Sequence, residues 1–187
     1  MKKIGKNQIL FYSERVYLRT LKKSDVTDDY VEGLNDTEVN KFLVNVRLRK
    51  QTKKIVSEFV LYNLRSPHDI LLGVFLKKGN IFVGTIRIGD ISSFHYLCTI
   101  GICFFNKRYW GKGYASEALN KACECVFKKL KLHYIEGGVY EDNYASMKLF
   151  KRAGFKVQAR YKNKYRYNDD FKTVIIWGLT NSDFKIK

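Results

Sequence analysis

Residues 108–113 read Arg108, Tyr109, Trp110, Gly111, Lys112, Gly113, and they stand between an apolar stretch and a long run of helical periodicity. Backbone N–H groups at the start of a helix have no partner within it, and the helix dipole makes that end positive. Glycines at 111 and 113 let the backbone curl inward and meet an anion with no side chain in the way. The run is therefore built to hold a phosphate or a pyrophosphate.

Neither of the commoner nucleotide loops fits. The GxxxxGK[ST] pattern of a phosphate-loop NTPase is absent, and so is the GxGxxG of a dinucleotide site. Glu117 falls on the first turn of the helix after the loop, where a carboxylate complements the dipole and serves structure. The four cysteines, Cys98, Cys103, Cys123 and Cys125, form no CxxC pair, and no histidine lies at zinc-ligand spacing from them. They read as reduced thiols acting as small buried hydrophobes, with no metal site.

The elements that must position this loop follow from patterning. Residues 15–20 alternate and form a first strand. Ser24 and Asp25 offer an N-cap to a helix carrying Val26, Tyr30, Val31 and Leu34 on one face. Thr52 caps a second helix, with Ile55, Val56, Phe59 and Val60 turned inward. Residues 70–77 and 81–88 are strands joined by a turn at Lys78, Gly79 and Asn80. A fourth strand covers 97–105. After the loop, Ala115, Ala118, Leu119, Ala122, Val126 and Leu130 recur at spacings of three and four. Residues 133–140 are a strand, 143–153 a helix stopped by Gly154, and 155–161 and 173–179 two closing strands. This order makes an α/β protein with helices on both faces of a sheet.

At 187 residues, with one proline and no composition break, the chain reads as a single domain with its core at about 15–180. Nothing in it is long and apolar enough for a membrane span or a signal peptide, so a cytoplasmic location is expected. The formal charge of +17 favours an anionic partner, whether a nucleotide-linked substrate, a nucleic acid or an acidic protein. It equally fits a lysine-rich surface with no specific role.

Arg108, Gly111 and Gly113 fill an Arg/Gln-x-x-Gly-x-Gly/Ala pattern. Upstream stand Ile100, Gly101 and Ile102; downstream come Asn143, Ser146, and the run Lys151, Arg152, Ala153, Gly154, Phe155. This series resembles the GNAT N-acetyltransferase superfamily, in the branch holding the ribosomal-protein alanine acetyltransferases. Val16, Tyr17, Leu18, Arg19 and Leu34, Asn35, Asp36 resemble that branch's first strand and helix. The resemblance runs over about residues 15–180.

It implies a mixed, mostly antiparallel twisted sheet in which two parallel strands, at 97–105 and 133–140, splay apart to admit acetyl-CoA. Amides from about 108 to 115 are expected to hold its pyrophosphate. Ile102, Cys103 and Phe104 are expected to pair with the pantetheine like an added strand. An amide near Cys103 would stabilise the oxyanion. Asn143 is expected to bond the pantetheine arm, and its position suits a helix N-cap as well. The family's usual proton donor is a tyrosine at the position held here by Phe150. Ser146 takes its place by resemblance to the alanine-acetylating branch. For the base, Glu141 and Asp142 stand where the 133–140 strand ends, close to the expected thioester. Both also suit capping of the next helix. His95, ahead of the fourth strand, is a further candidate.

The set His95, Ile100 to Ile102, Tyr109 to Ala115, Leu132, His133 and Asn143 to Ser146 looks most like acetyltransferases that modify amino sugars carried on nucleotides. Such an enzyme calls for a pocket of arginine and aromatic side chains beside the thioester. Residues 161–167, with Lys162, Lys164 and Arg166, are a candidate lip for it or a loop before the last strand. N-terminal protein acetylation is the alternative acceptor class. A polyamine is disfavoured, since only the pairs Asp28, Asp29 and Asp169, Asp170 cluster negative charge. A non-catalytic acyl-CoA or nucleic-acid binding module is a further alternative, which Phe150 permits. A homodimer through the last strands is expected from the family.

Overall fold

The computed structural model describes residues 10–185. Its elements are β1 (Leu10–Tyr12), β2 (Val16–Thr20), α1 (Asp28–Asn35), α2 (Thr37–Asn40), α3 (Val44–Arg47), α4 (Lys53–Arg65), β3 (Ile70–Leu76), β4 (Ile81–Ser92), β5 (Leu97–Cys103), α5 (Tyr114–Glu124), β6 (Tyr134–Tyr140), α6 (Tyr144–Arg152), β7 (Lys156–Tyr167) and β8 (Asp170–Thr180). All eight strands join one sheet in the order β1-β2-β3-β4-β5-β6-β8-β7. Every neighbouring pair is antiparallel except β5 and β6.

Alternation of side chains across the strands makes two cores. On one face Leu18, Leu72, Ile86 and Ile135 pack with Leu119 of α5 and Phe150 of α6. On the other face Leu71 and Phe75 pack with Tyr30 of α1 and Val56 and Val60 of α4. β3 is buried along its whole length, as expected of a strand covered on both sides. Among the described residues no helix is long and apolar enough to cross a membrane.

Local chemistry sets the helix starts. Thr52 caps α4 by accepting from the Ile55 N–H at 3.3 Å. The cap of α1 is Thr27, which accepts from Tyr30 N–H at 3.3 Å, and not Ser24 or Asp25. Asp25 is engaged elsewhere: Arg19 donates to both its carboxylate oxygens, at 2.7 and 2.6 Å, and Lys22 N–H donates at 2.7 Å. On α4, Val56 and Val60 face inward, whereas Phe59 is 43% exposed. Positions 56 and 60 lie one turn apart on the buried stripe, and position 59 falls at its margin.

The segment between α1 and α4 carries two short helices that patterning did not reveal. Polar side chains fasten it. Asn35 donates to the carbonyls of Val31 and Gln51 and accepts from Gln51 N–H, at 2.8–3.0 Å. The Gln51 amide donates to the carbonyls of Val46 and Arg49. Asp36 caps α2 and pairs with Lys107 at 2.7 Å, which ties this segment to the turn after β5. Residues 161–167 are strand, continuing β7 past a register shift between Tyr161 and Tyr165 into a long hairpin with β8.

Candidate active site

β5 and β6 are paired only at Leu97 with Tyr134, Cys98 with Ile135 and Thr99 with Glu136. Beyond Thr99 the two strands part. β5 stays bound to β4 through Cys103, and β6 stays bound to β8 through Tyr140. The gap between them presents the unpaired edge of β5 from Ile100 to Cys103, where an extended ligand can add as a strand. Phe104 follows the strand's end, its carbonyl accepting from the Trp110 indole N–H at 2.8 Å.

From β5 the chain passes through a single 3-10 turn, Lys107–Tyr109, to the glycines. Gly111 and Gly113 take φ values of +72° and +83°. These are left-handed conformations that side chains disfavour. A β-carbon at Gly111 would meet nothing within 4 Å, so this part of the loop faces open space. Gly113 is the N-cap residue of α5 and has no side chain to satisfy the first N–H groups of that helix. Free amides and a dipole terminus thus meet in this loop, which also carries the cations Arg108 and Lys112. Tyr109 and Tyr114 line the loop edge to face, with centroids 6.3 Å apart.

Asn143, just past β6, accepts from the Ser146 N–H at 3.2 Å and caps α6. Ser146 is thereby held on the first turn of α6, half-buried. Phe150, one turn further, is 2% exposed. Its ring tip fills the space that any β-carbon at Gly137 would need, and it packs on Phe155 at 4.7 Å. Glu141 and Asp142 do not stand free: Glu141 pairs with Arg160 and Asp142 with Lys172. Both pairs bind the end of β6 to the β7–β8 hairpin. His95 is not part of this site. It lies exposed at the tip before β5, against Phe94, and the seven residues of β5 put it roughly 20 Å from Cys103.

The other face of the splay holds a cavity of about 540 Å³. Gly101, Ile102 and Cys103 form one wall, and Tyr30, Arg49, Glu58, Phe59, Tyr62 and Arg87 are among the others. Gly101 leaves open space where a side chain would stand. Arg87 is held in place by buried Asp69 at 2.5 Å. Burial pushes the Cys103 thiol up to about 12, so it is neutral at physiological pH. Burial likewise drives the Tyr30 hydroxyl upward, reinforced by Cys103 and opposed by a bond with Thr85.

Two further features escaped sequence reading. Segment 41–47 meets the β7–β8 hairpin above the splay: Arg47 stacks on Tyr167, and the Tyr167 hydroxyl donates to Lys41 carbonyl at 2.8 Å. Tyr140 packs between Phe42, Tyr165 and Tyr167. The second feature is Arg15, which grips the glycine loop from the β1–β2 turn. Both are contacts between distant segments, and no local pattern announces them.

Comparison with known proteins agrees with this geometry. The acetyltransferase (GNAT) domain family matches residues 15–156. The probable N-acetyltransferase YjcK of Bacillus subtilis is 26% identical over 120 residues, just under two thirds of either protein, 64% of this chain and 66% of that one. Spermidine N-acetyltransferase from Vibrio cholerae, in complex with CoA and spermine, superposes with a TM-score of 0.80 at 17% identity, covering 91% of this chain and 98% of that one. The ribosomal-protein-S5-alanine acetyltransferase of Vibrio fischeri gives 0.76 at 22% identity, covering 95% and 99%. At these identities the last two are likenesses of fold. The family match spans β2, the splayed pair, the glycine loop and α6, and on that ground the chain belongs to the GNAT family of N-acetyltransferases.

Proposed function

We propose that this N-acetyltransferase moves the acetyl group of acetyl-CoA to the primary amine of an amino sugar carried on a nucleotide. The observation that carries the acceptor is the cavity beside Gly101 to Cys103, where Arg49 and Arg87 stand among the rings of Tyr30, Phe59 and Tyr62. Guanidinium groups suit phosphates and aromatic faces suit a base or a sugar ring. Arg87 is paired with Asp69, so the lining sets Arg49 against Glu58 and offers no cluster of carboxylates to draw a polycation such as spermidine.

In this reading the amides of residues 108–115 hold the CoA pyrophosphate, and the pantetheine lies along Ile102, Cys103 and Phe104. Asn143 bonds the pantetheine arm through the part of its amide not used in capping. The neutral amine attacks the thioester carbon, and the negative charge that develops on the carbonyl oxygen is met by an amide near Cys103. The amine's proton leaves toward Glu141, directly or through water, once Arg160 yields part of its hold. Collapse breaks the carbon–sulfur bond, and Ser146 supplies a proton to the departing thiolate. Phe150 supplies none.

A second reading, acetylation of a protein N-terminus, draws on the shared fold with the S5-alanine enzyme. Calorimetric titration with acetyl-CoA followed by thiol-release assays separates them. The proposal expects binding and turnover on a UDP-linked amino sugar, with little on an alanine-terminated peptide or spermidine. Turnover on the peptide alone would select the second reading. Acetyl-CoA binding with no turnover on any amine would make the protein a binding module.

A further inference from the structure

Glu117, on the first turn of α5, accepts the backbone N–H of Arg15 at 2.7 Å, the Arg15 Nε–H at 2.9 Å and the Val16 N–H at 3.2 Å. The same arginine donates from Nη1 to the Lys112 carbonyl at 3.0 Å. Its guanidinium lies 4.8 Å from the Tyr114 ring centroid, and its Nη2 would stand 3.3 Å from a β-carbon at Gly113. One side chain thus touches three consecutive positions of the glycine loop, 112 to 114, and is itself locked by a carboxylate one turn into the helix.

We infer that Arg15 is a positioning residue for the CoA pyrophosphate, acting through the Lys112–Gly113 peptide. A trans peptide is planar, with its C=O and N–H pointing in opposite directions. Fastening the Lys112 oxygen to Arg15 therefore aims the Gly113 N–H away from the β1–β2 turn. Without that hold, a peptide that ends on left-handed Gly113, with left-handed Gly111 one residue before it, is freer to rotate, and the amide must be ordered again at each binding event. Glu117 supplies the counter-charge that keeps the guanidinium from turning outward, since Arg15 is otherwise about half exposed. The inference rests on the reading of residues 108–115 as the pyrophosphate site.

The test compares acetyl-CoA with S-acetylpantetheine, which carries the same thioester and no pyrophosphate. In Arg15→Met the ratio of kcat/KM for acetyl-CoA to that for S-acetylpantetheine is expected to fall about tenfold, through KM and not kcat. Arg15→Lys is expected to recover little, because an ammonium cannot serve Glu117 and the Lys112 carbonyl in the fixed fork of a guanidinium. Calorimetry with CoA gives the same answer as a loss of affinity if S-acetylpantetheine turns over too slowly. An unchanged ratio with unchanged CoA affinity overturns the inference, as does an equal loss with both substrates, which would mean a purely structural role. Wild-type protein that binds no CoA at all would instead remove the reading on which it rests.

Discussion

The guanidinium of Arg47 lies 3.8 Å from the ring centroid of Tyr167, joining the short helix α3 to the tip of the β7–β8 hairpin. Around it Arg47 donates to the Asn168 side chain at 2.7 Å, and Lys172 lies 4.1 Å from the same ring. Both connected segments reach over the open end of the splay, and α3 also supplies Val46 to the cavity wall. Arg47 and Tyr167 are both half-buried, and a cation–π contact in such a setting contributes about 1–2 kcal/mol, enough to bias how the two segments sit but not to hold the fold.

Arg47→Ala is accordingly expected to raise the acceptor KM several-fold and leave CoA affinity unaltered. Steady-state kinetics with each substrate varied in turn checks this. A rise in the acetyl-CoA KM alone would show that this contact serves the cofactor side.

Much of this architecture was legible before any coordinates. The loop could be read because its chemistry is local: two glycines, a helix start and neighbouring cations within six residues. The helix face of α5, and that of α4 apart from Phe59, could be read because periodicity is local too. What could not be read depends on which side chains meet once the chain has folded. Thr27 and not Asp25 caps α1 because Arg19, at the end of β2, takes Asp25 for itself. Residues 161–167 look like a polar loop, but they pair with β8 and pack on α3. The cavity depends on where 41–51 folds, and that is set by Asn35 and Gln51 bonding to each other's backbone.

Gly111→Val is expected to abolish CoA binding while the protein remains folded. The new side chain would enter open space, so it meets no internal clash. Its cost is the left-handed φ of +72°, about 1–2 kcal/mol for a side-chain-bearing residue. That is small against a typical stability of about 5–15 kcal/mol. Calorimetry with CoA and a thermal melt report the two effects separately. Undiminished affinity would displace the pyrophosphate from this loop.

Ser146→Ala and Glu141→Gln test the proposed proton transfers. Each is expected to lower kcat by about tenfold or more with little change in CoA affinity. Glu141→Gln also frees Arg160, so its control is Arg160→Gln, which breaks the same ion pair and keeps the carboxylate. If the two variants of that pair lose activity equally, Glu141 acts by holding the hairpin and is not the base. A fully active Ser146→Ala would leave thiolate protonation to water.

Acid sensitivity can be assigned to Glu117. Burial pushes its pKa up, but the backbone and guanidinium of Arg15, the Ser13 hydroxyl and the Val16 N–H outweigh it and hold the carboxyl below its ordinary value of 4.5. A depressed carboxylate contributes stability that is complete above the unfolded pKa and is lost as pH falls through the folded one. The melting-temperature gap between wild type and Glu117→Gln is therefore expected to be constant above about pH 5.5 and to narrow below pH 4.5. If CoA retention at matched ionic strength follows the same curve, the carboxylate that anchors Arg15 also governs the loop. A gap that stays constant to pH 3 would mean that Glu117 contributes through packing and not through its charge.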